Sequence, residues 1–255
     1  MSTPAIRLVC APSAALAYHV LAHLDLGSDA ASLFDPRLPP RPWQAGLLRA
    51  YRAAPGRLRL HALPLVHPED LEQVLRESPQ TVGDGPGRTL ALAFADAMQQ
   101  ERSAFLEQLA AEMSTQATRH RAVRDAIGEE LERLRAALWE QQGESPSLHI
   151  YDCPALRAAG RGTSTPEGRA VAVSLAESIE HVLCQVLHEE IHAVTDAVVW
   201  SAMGERVRDT RVGAPGHAVH EALEHAAVEV GEALIAARAP RWSDAYHRWR
   251  RRYRV

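Results

Sequence analysis

An apolar helix interrupted by charged groups is the feature that most limits how this chain can fold. Residues 177–203 are predicted to form one helix, and apolar side chains cover much of its circumference. These side chains are Val182, Leu183, Val186, Leu187 and Ile191. A helix of this kind is mostly buried in a folded domain. Its central histidines and glutamates would be buried with it, and buried imidazoles and carboxylates need partners.

The polar groups in this helix follow the pattern His-Glu-x-x-His from His188 to His192. At about 100° per residue, two histidines four positions apart lie on one helix face and can reach the same metal ion. Glu189 is turned by about 100° from His188, so it can miss the ion and still hydrogen-bond a water molecule beside it. The spacing therefore predicts a zinc site in which Glu189 is the general base of a hydrolysis.

A catalytic zinc site usually has three protein ligands and one open position, so a third ligand must come from another element. A second helix, predicted over residues 217–237 after a Gly-Ala-Pro-Gly turn, is rich in suitable side chains. The candidates are His217, His220, Glu221, Glu224 and His225. On a helical wheel Glu221 and His225 share one face, and His220 and Glu224 share another. Spacing alone does not choose between these faces.

The segment from His188 to Asp196 resembles the active-site helix of the thermolysin-like metallopeptidases, in which H-E-x-x-H is followed by A-V-T-D as it is here. That family takes its third zinc ligand from the Glu of an N-E-A-x-x-D segment. The stretch His220-Glu-Ala-Leu-Glu-His225 is similar, and the resemblance implies that Glu221 is the third ligand. It also implies that Asp196 and His225 hydrogen-bond to the zinc-ligating side chains and orient them, as zinc ligands usually require.

The chain departs from this family at several points. It has His220 where the family has Asn, and His225 where the family has Asp. The linker over residues 200–216 is longer and lacks an assisting Tyr, and the chain after Glu221 is too short for the family's helical C-terminal domain with its transition-state histidine. The resemblance covers residues 174–234 and implies a small, divergent gluzincin. We therefore expect an α+β, mostly helical fold with a zincin-like metal core, built from a small sheet, the motif helix and a glutamate helix.

The rest of the chain is organised by breaks in its hydrophobic pattern. Short strands and longer helices are expected, with a polar loop between the last two strands. The predicted strands are 6–10, 58–63, 148–151 and 169–175, and the predicted helices before residue 143 include 13–26 and 89–142, the latter with a junction near 114–118 as an alternative. We expect a mainly helical N-terminal region over 1–143 and the metal core with a C-terminal helix over 144–255. Zincins in general pair an extended substrate with the sheet edge before the metal helix, so strand 169–175 is either that edge or an ordinary sheet strand.

Composition excludes several functions. All 28 basic residues are arginines, because the sequence contains no lysine, and it also contains no asparagine. P-loop enzymes, protein kinases and Schiff-base enzymes all need a lysine, and N-glycosylation needs an asparagine. The cysteines Cys10, Cys153 and Cys184 are too few for a disulfide framework, which favours the cytoplasm. Secretion is the less favoured alternative, because Pro12 and Ser13 interrupt the apolar stretch that resembles a signal peptide.

The arginine-rich segment 241–255 carries six arginines in a chain whose formal net charge is −4. Its aromatic residues recur at helical spacing, so we expect them to dock on the body of the protein with the arginines in solvent. These aromatic residues are Trp242, Tyr246, Trp249 and Tyr253. The mild acidity argues against nucleic-acid binding, and no apolar run approaches the roughly 18 residues of a membrane span. The expected partner is a peptide or protein substrate, and docking could bring Tyr246 or His247 to the zinc as an oxyanion donor.

His19 and His23 are also four residues apart. They have no adjacent Glu and no obvious partner helix, so the sequence predicts that they are surface residues. A second metal site is not expected from this pair alone.

Three functions compete at this point. The first is a zinc peptidase that acts through Glu189, and the second is a zincin-like protein with little or no activity that uses zinc structurally or in regulation. The third is a di-iron helical bundle, because Glu189 and His192 also form E-x-x-H. Such a bundle needs a second E-x-x-H on another helix, and the predicted helices contain none.

Overall fold

The computed structural model describes residues 6–24, 40–54, 60, 62–78, 85–143, 145–156, 160–203 and 216–253. Within them the protein has the predicted α+β architecture, mostly helical with a small sheet. Residues 58, 59 and 61 of the predicted strand 58–63 lie outside the described residues, and of the other three Leu60 and Ala62 lie in turns and Leu63 begins a short helix, so no strand is observed there. The helices are α1 (Pro12–Ala22), α2 (Gln44–Ala53), α3 (Leu63–Val66), α4 (Leu71–Glu77), α5 (Pro86–Trp139), α6 (Ile179–Met203), α7 (His217–Arg238) and α8 (Ser243–Tyr253). The strands are β1 (Ile6–Val9), β2 (Leu148–Asp152), β3 (Arg161–Thr165) and β4 (Gly168–Val173).

The sheet has the strand order β1-β2-β4-β3. β1, β2 and β4 are parallel, with Ile6 opposite Leu148 and Leu148 opposite Arg169. β3 runs antiparallel to β4 and pairs Thr165 with Gly168 across a tight hairpin. Because β1 precedes residue 143 and pairs with β2 after it, the two predicted regions share one sheet.

β3 lies in the stretch predicted to be a loop, so that prediction is wrong. Its sequence, Arg-Gly-Thr-Ser-Thr, has no alternation of apolar and polar residues and is only partly buried. Gly168 ends the hairpin turn with φ 135°, a conformation that side chains beyond glycine rarely adopt. An edge strand with little buried surface carries a weak sequence signal, which explains the missed element.

α5 is one continuous helix of 54 residues and runs for about 80 Å. The alternative of two helices meeting near 114–118 is therefore not observed. Its first half packs against α1, α2 and α4 and contributes Phe94 and Met98 to one hydrophobic core. Its second half packs against α6 and α7 and contributes Leu131 and Leu134 to a second core. α5 thus joins the N-terminal helices to the part of the molecule that carries the H-E-x-x-H motif.

α6 is buried, as its apolar sequence predicts. Val182, Leu183, Val186, Leu187 and Ile191 are all fully buried in the second core. At about 25 cal/mol per Å² of apolar surface, each contributes roughly 1.5–3 kcal/mol relative to an exposed position. No described helix is both long and apolar enough to cross a membrane.

The C-terminal helix α8 docks on α6 and α7, as its aromatic spacing predicts. Tyr246 and Trp249 are buried, whereas Arg248 lies on an exposed face and pairs with Glu180 at 2.8 Å. The hydroxyl of Tyr246 donates to the carbonyl of Val228 at 3.2 Å. The arginine-rich segment is therefore a docked helix within the described residues.

Candidate metal centre

α6 and α7 pack side by side and carry the side chains of the candidate centre. His188 and His192 lie one turn apart on α6. Their Nε2 atoms are 3.0 Å apart, and the two rings meet edge to face with centroids 4.5 Å apart. His188 is buried and His192 is half-buried, so both imidazoles point away from bulk water toward α7.

Glu224 of α7 faces these two histidines. Its Oε2 lies 3.1 Å from Nε2 of His188, and its Oε1 lies 3.6 Å from Nε2 of His192. Glu221 is exposed and does not line the cleft, so Glu224 replaces Glu221 as the candidate third ligand. The physical reason is the rotation of α7, which turns its His220–Glu224 face toward α6 and its Glu221–His225 face toward solvent.

The ligand atoms of these three residues lie close to the separations of a tetrahedral zinc site. Zn–N and Zn–O bonds of about 2.0–2.1 Å at tetrahedral angles put neighbouring ligand atoms about 3.3 Å apart. Nε2 of His188 lies 3.0 Å from Nε2 of His192 and 3.1 Å from Oε2 of Glu224, and one ligand atom from each of the three residues lies within 4.8 Å of the other two. Two imidazoles and one carboxylate are also a common donor set of catalytic zinc sites. The side chains therefore fit a zinc ion without rearrangement of the backbone.

The electrostatics of the centre also favour a cation. Burial lowers the pKa of His192, but its contacts with Asp196 and Glu224 outweigh burial and raise that pKa to about 10. Burial raises the pKa of Glu224, but its contacts with His188 and His192 outweigh burial and hold that pKa far below its usual range. The carboxylates that hold an extra proton on His192 would equally hold a metal ion in its place.

Asp196 lies behind His192, where the resemblance implies it should be. Its Oδ1 is 2.8 Å from Nδ1 of His192. A proton held on Nδ1 leaves the lone pair of Nε2 directed at the centre, which is the tautomer that metal binding needs. His225, which the resemblance also implied as a supporting residue, is exposed and does not line the cleft. The rotation of α7 turns His225 toward solvent, so the structure does not support its predicted role.

The three candidate ligands open onto a cleft of about 200 Å³. The other lining residues come from β3, α6 and α7. They are Arg161, Gly162, Glu189, Asp196, His220 and Leu223. The cleft thus combines the candidate metal ligands with the predicted general base and with two further nitrogen-bearing side chains, Arg161 and His220.

Glu189 is held in place by a chain of hydrogen bonds from α8. Its Oε1 accepts from Nε2 of Gln185 at 3.0 Å, and Oε1 of Gln185 accepts from Nε1 of Trp249 at 3.1 Å. The ring of Trp249 also packs on His188 with centroids 5.0 Å apart. The sequence predicted that Trp249 docks but not that it reaches the site. The four-residue spacing of Gln185 and Glu189 could have predicted their hydrogen bond, because residues four apart share a helix face.

The position of Trp249 corrects the expectation that Tyr246 or His247 approaches the zinc. The hydroxyl of Tyr246 is used by the backbone of α7, and His247 is an exposed residue 3.9 Å from Glu232. Neither residue lines the cleft. The observed residue differs from the expected one by about one helical turn, because Trp249 follows Tyr246 on the buried face of α8.

Glu190, the second glutamate of the motif, forms a buried ion cluster behind the cleft. Its Oε2 accepts from Nε of Arg135 at 2.7 Å, and its Oε1 accepts from Nε of Arg169 at 3.1 Å. Arg169 also donates to the carbonyl of Glu189 at 2.8 Å, so the cluster fixes the backbone beside the general base. Sequence reasoning missed this cluster, although an ionised Glu in an apolar helix requires a buried cation.

β3 forms the wall of the cleft nearest Glu189. A Cβ on Gly162 would lie 3.0 Å from the Cβ of Glu189, so glycine allows this close approach. Among the described strands β3 pairs with β4 alone, whereas β4 pairs with β2 and β3. The sheet edge beside α6 is therefore β3, and of the two alternatives for residues 169–175 the structure shows the ordinary sheet strand.

Comparisons of the chain with protein-family models, with curated proteins and with solved structures find no match.

Proposed function

We propose that the protein is a zinc-dependent peptidase. The observation that carries this proposal is the convergence of His188, His192 and Glu224 with Glu189 in one open cleft. The resemblance of the motif helix to thermolysin-like metallopeptidases supports the same reaction class. Replacement of Glu221 by Glu224 as the third ligand leaves the donor set of a gluzincin unchanged.

His188, His192 and Glu224 would hold the metal, and Asp196 would fix His192 in the binding tautomer. A bound zinc ion supplies Lewis acidity, which activates a water molecule and polarises a carbonyl group. Glu189 takes the proton from the attacking water and delivers it to the leaving amine. Gln185 holds one oxygen of Glu189, which leaves the carboxylate oriented while the proton is transferred.

Arg161 and His220 are the groups that would stabilise the oxyanion of the substrate carbonyl. Both line the cleft, from β3 and α7 respectively. A donor placed in a partly dehydrated cleft stabilises developing negative charge more than a donor in water does. In this proposal they take the role expected from the sequence for Tyr246 or His247, neither of which lines the cleft.

An extended peptide is the substrate that this cleft suits best. Among the described strands none pairs with the outer edge of β3, so that edge offers main-chain hydrogen bonds to an added strand, and Gly162 brings β3 against Glu189. Leu223 supplies an apolar patch on the opposite wall for a substrate side chain. Main-chain pairing would set the register of the peptide and place one carbonyl at the metal.

The substitution Glu189→Gln tests the mechanism. We expect this variant to bind zinc as the unmodified protein does and to cleave a peptide library at least about 100-fold more slowly, because the general base is lost. Mass spectrometry of the library with and without a chelator measures cleavage, and elemental analysis measures zinc. Full activity of the variant would falsify the role of Glu189. Zinc binding without any chelator-sensitive cleavage in the unmodified protein would instead favour the structural or regulatory alternative.

A further inference from the structure

A second cluster of metal-binding side chains lies in the N-terminal helices. It consists of His19 on α1, His23 directly after the last residue of α1, and Glu101 on α5. The sequence predicted that the two histidines are surface residues, but His23 is only 4% exposed and Glu101 only 7% exposed. That prediction is wrong because α5, distant in sequence, covers this face of α1.

The ligand atoms of this cluster converge as those of the first site do. Nε2 of His19 lies 3.4 Å from Nε2 of His23 and 3.5 Å from Oε2 of Glu101. Both separations are close to the roughly 3.3 Å expected between ligands of a tetrahedral zinc ion. Each cluster therefore has two histidines four residues apart, on or directly after one helix, and a glutamate from another helix.

Glu101 is oriented by groups that leave one oxygen facing the histidines. Its Oε1 accepts from Nε1 of Trp43 at 2.9 Å and lies 3.2 Å from Nε of Arg41. Oε2 is the oxygen that faces His19. A carboxylate fixed through one oxygen while the other faces the ligands is the usual arrangement around a bound metal.

Aromatic rings hold the two imidazoles in place. His19 packs on Phe105 with centroids 5.1 Å apart, and His23 meets Trp43 edge to face at 5.8 Å. Such packing limits ring rotation, so little conformational entropy is lost when an ion binds. The aromatic rings also place apolar surface around the site, and the lower local dielectric strengthens the attraction between Glu101 and a cation.

We propose that His19, His23 and Glu101 bind a second divalent transition-metal ion, of which zinc suits two imidazoles and one carboxylate well. The ion joins α1 to α5 and so braces the N-terminal helices against the helix that reaches the first site. Metal binding then contributes directly to the folding free energy of this region. The proposal does not depend on peptidase activity.

Metal stoichiometry in separate site variants tests the proposal. The unmodified protein, stripped with a chelator and dialysed against zinc, should retain two zinc ions per chain by elemental analysis. Glu101→Gln should lower this to one, as should Glu224→Gln at the first site, and the double variant should retain none. Glu107→Gln, an exposed glutamate on the same helix α5, is the matched control and should retain two.

The outcomes separate the second site from the proposed function. One zinc per chain that survives Glu101→Gln and is lost in Glu224→Gln overturns the second site and leaves the peptidase proposal intact. One zinc that is lost in Glu101→Gln supports the second site and removes the metal from the proposed cleft. If Glu101→Gln does not fold, His19→Gln serves in its place, and the zinc-dependent rise in Tm should also fall in that variant. An unchanged rise in Tm and unchanged stoichiometry would overturn the proposal.

Discussion

At the scale of single residues, Glu224 and Glu221 are three positions apart on α7 and have opposite surroundings. Glu224 faces two imidazoles, and Glu221 lies in solvent. The two glutamates therefore provide a matched pair, since the same substitution changes the proposed zinc ligand at position 224 and an exposed carboxylate at position 221.

We expect Glu224→Gln to weaken zinc binding at the first site by at least about 100-fold, because a neutral amide is a poor zinc ligand. Glu221→Gln should change zinc affinity by less than about threefold, because only a distant, screened charge is lost. Competition with a chromophoric chelator measures both affinities. Equal weakening in the two variants would contradict the assignment of Glu224.

A prediction about folding stability concerns Glu190, whose side chain is buried in the core. Glu190→Gln should lower the free energy of unfolding by about 3–5 kcal/mol, since it leaves Arg135 and Arg169 buried with less compensating charge. Glu180→Gln, which breaks the exposed pair with Arg248, should lower the free energy of unfolding far less, because water and salt screen an exposed pair. Urea denaturation of both variants, with zinc saturating, measures the difference. Similar midpoints would show that the buried cluster is not stabilising.

Part of this residue-scale description could be predicted from the sequence. The spacing of His188 and His192 fixes their shared face, because helix geometry depends only on local sequence. The choice of Glu224 depends on how α7 rotates against α6, and that rotation follows from packing between distant segments. The same limit applies to His19 and His23, whose partner Glu101 is remote in sequence.

At the scale of elements, the strong periodic patterns gave correct helices. α6 and α7 were predicted to within about two residues of their observed ends, and the docking of α8 followed from its aromatic stripe. β3 was missed, because an exposed edge strand buries too little surface to impose an alternating pattern. The reach of α8 toward the site was expected through Tyr246 or His247, but Trp249 is the residue that reaches it, because the contact of Trp249 with Gln185 depends on the angle at which two helices cross.

Trp249→Phe tests the link between α8 and the cleft. Phenylalanine keeps an aromatic ring against His188 but removes the N–H that donates to Gln185. Gln185 then orients Glu189 less well, so we expect kcat to fall about tenfold with little change in KM. Zinc content should stay at the unmodified value. A fall in zinc content with unchanged kcat per bound zinc would assign Trp249 to metal retention instead.

At the scale of the whole molecule, the buried thiols and phenols set how stability depends on alkaline pH. Burial and the nearby Glu180 raise the pKa of Cys184 to about 12 from its ordinary value of 9.0. Burial also raises the pKa of Cys153 and of Tyr246 well above their ordinary values. These groups belong to both hydrophobic cores, so alkaline pH acts on the fold as a whole.

The sign of this dependence follows from the raised pKa of Cys184. Below about pH 9 the thiol is neutral in both folded and unfolded chains, and stability is fully present. Between pH 9 and about 12 the unfolded chain releases a proton that the folded chain keeps, so stability falls by about 1.4 kcal/mol per pH unit for this one group.

Cys184→Ala should reduce this slope of stability against pH by that amount. Val186→Ala, a loss of volume at another fully buried position of α6, should lower stability at every pH without changing the slope. Urea denaturation between pH 8 and pH 11 distinguishes these results, and equal slopes in the unmodified protein and Cys184→Ala would show that Cys184 ionises in the folded state.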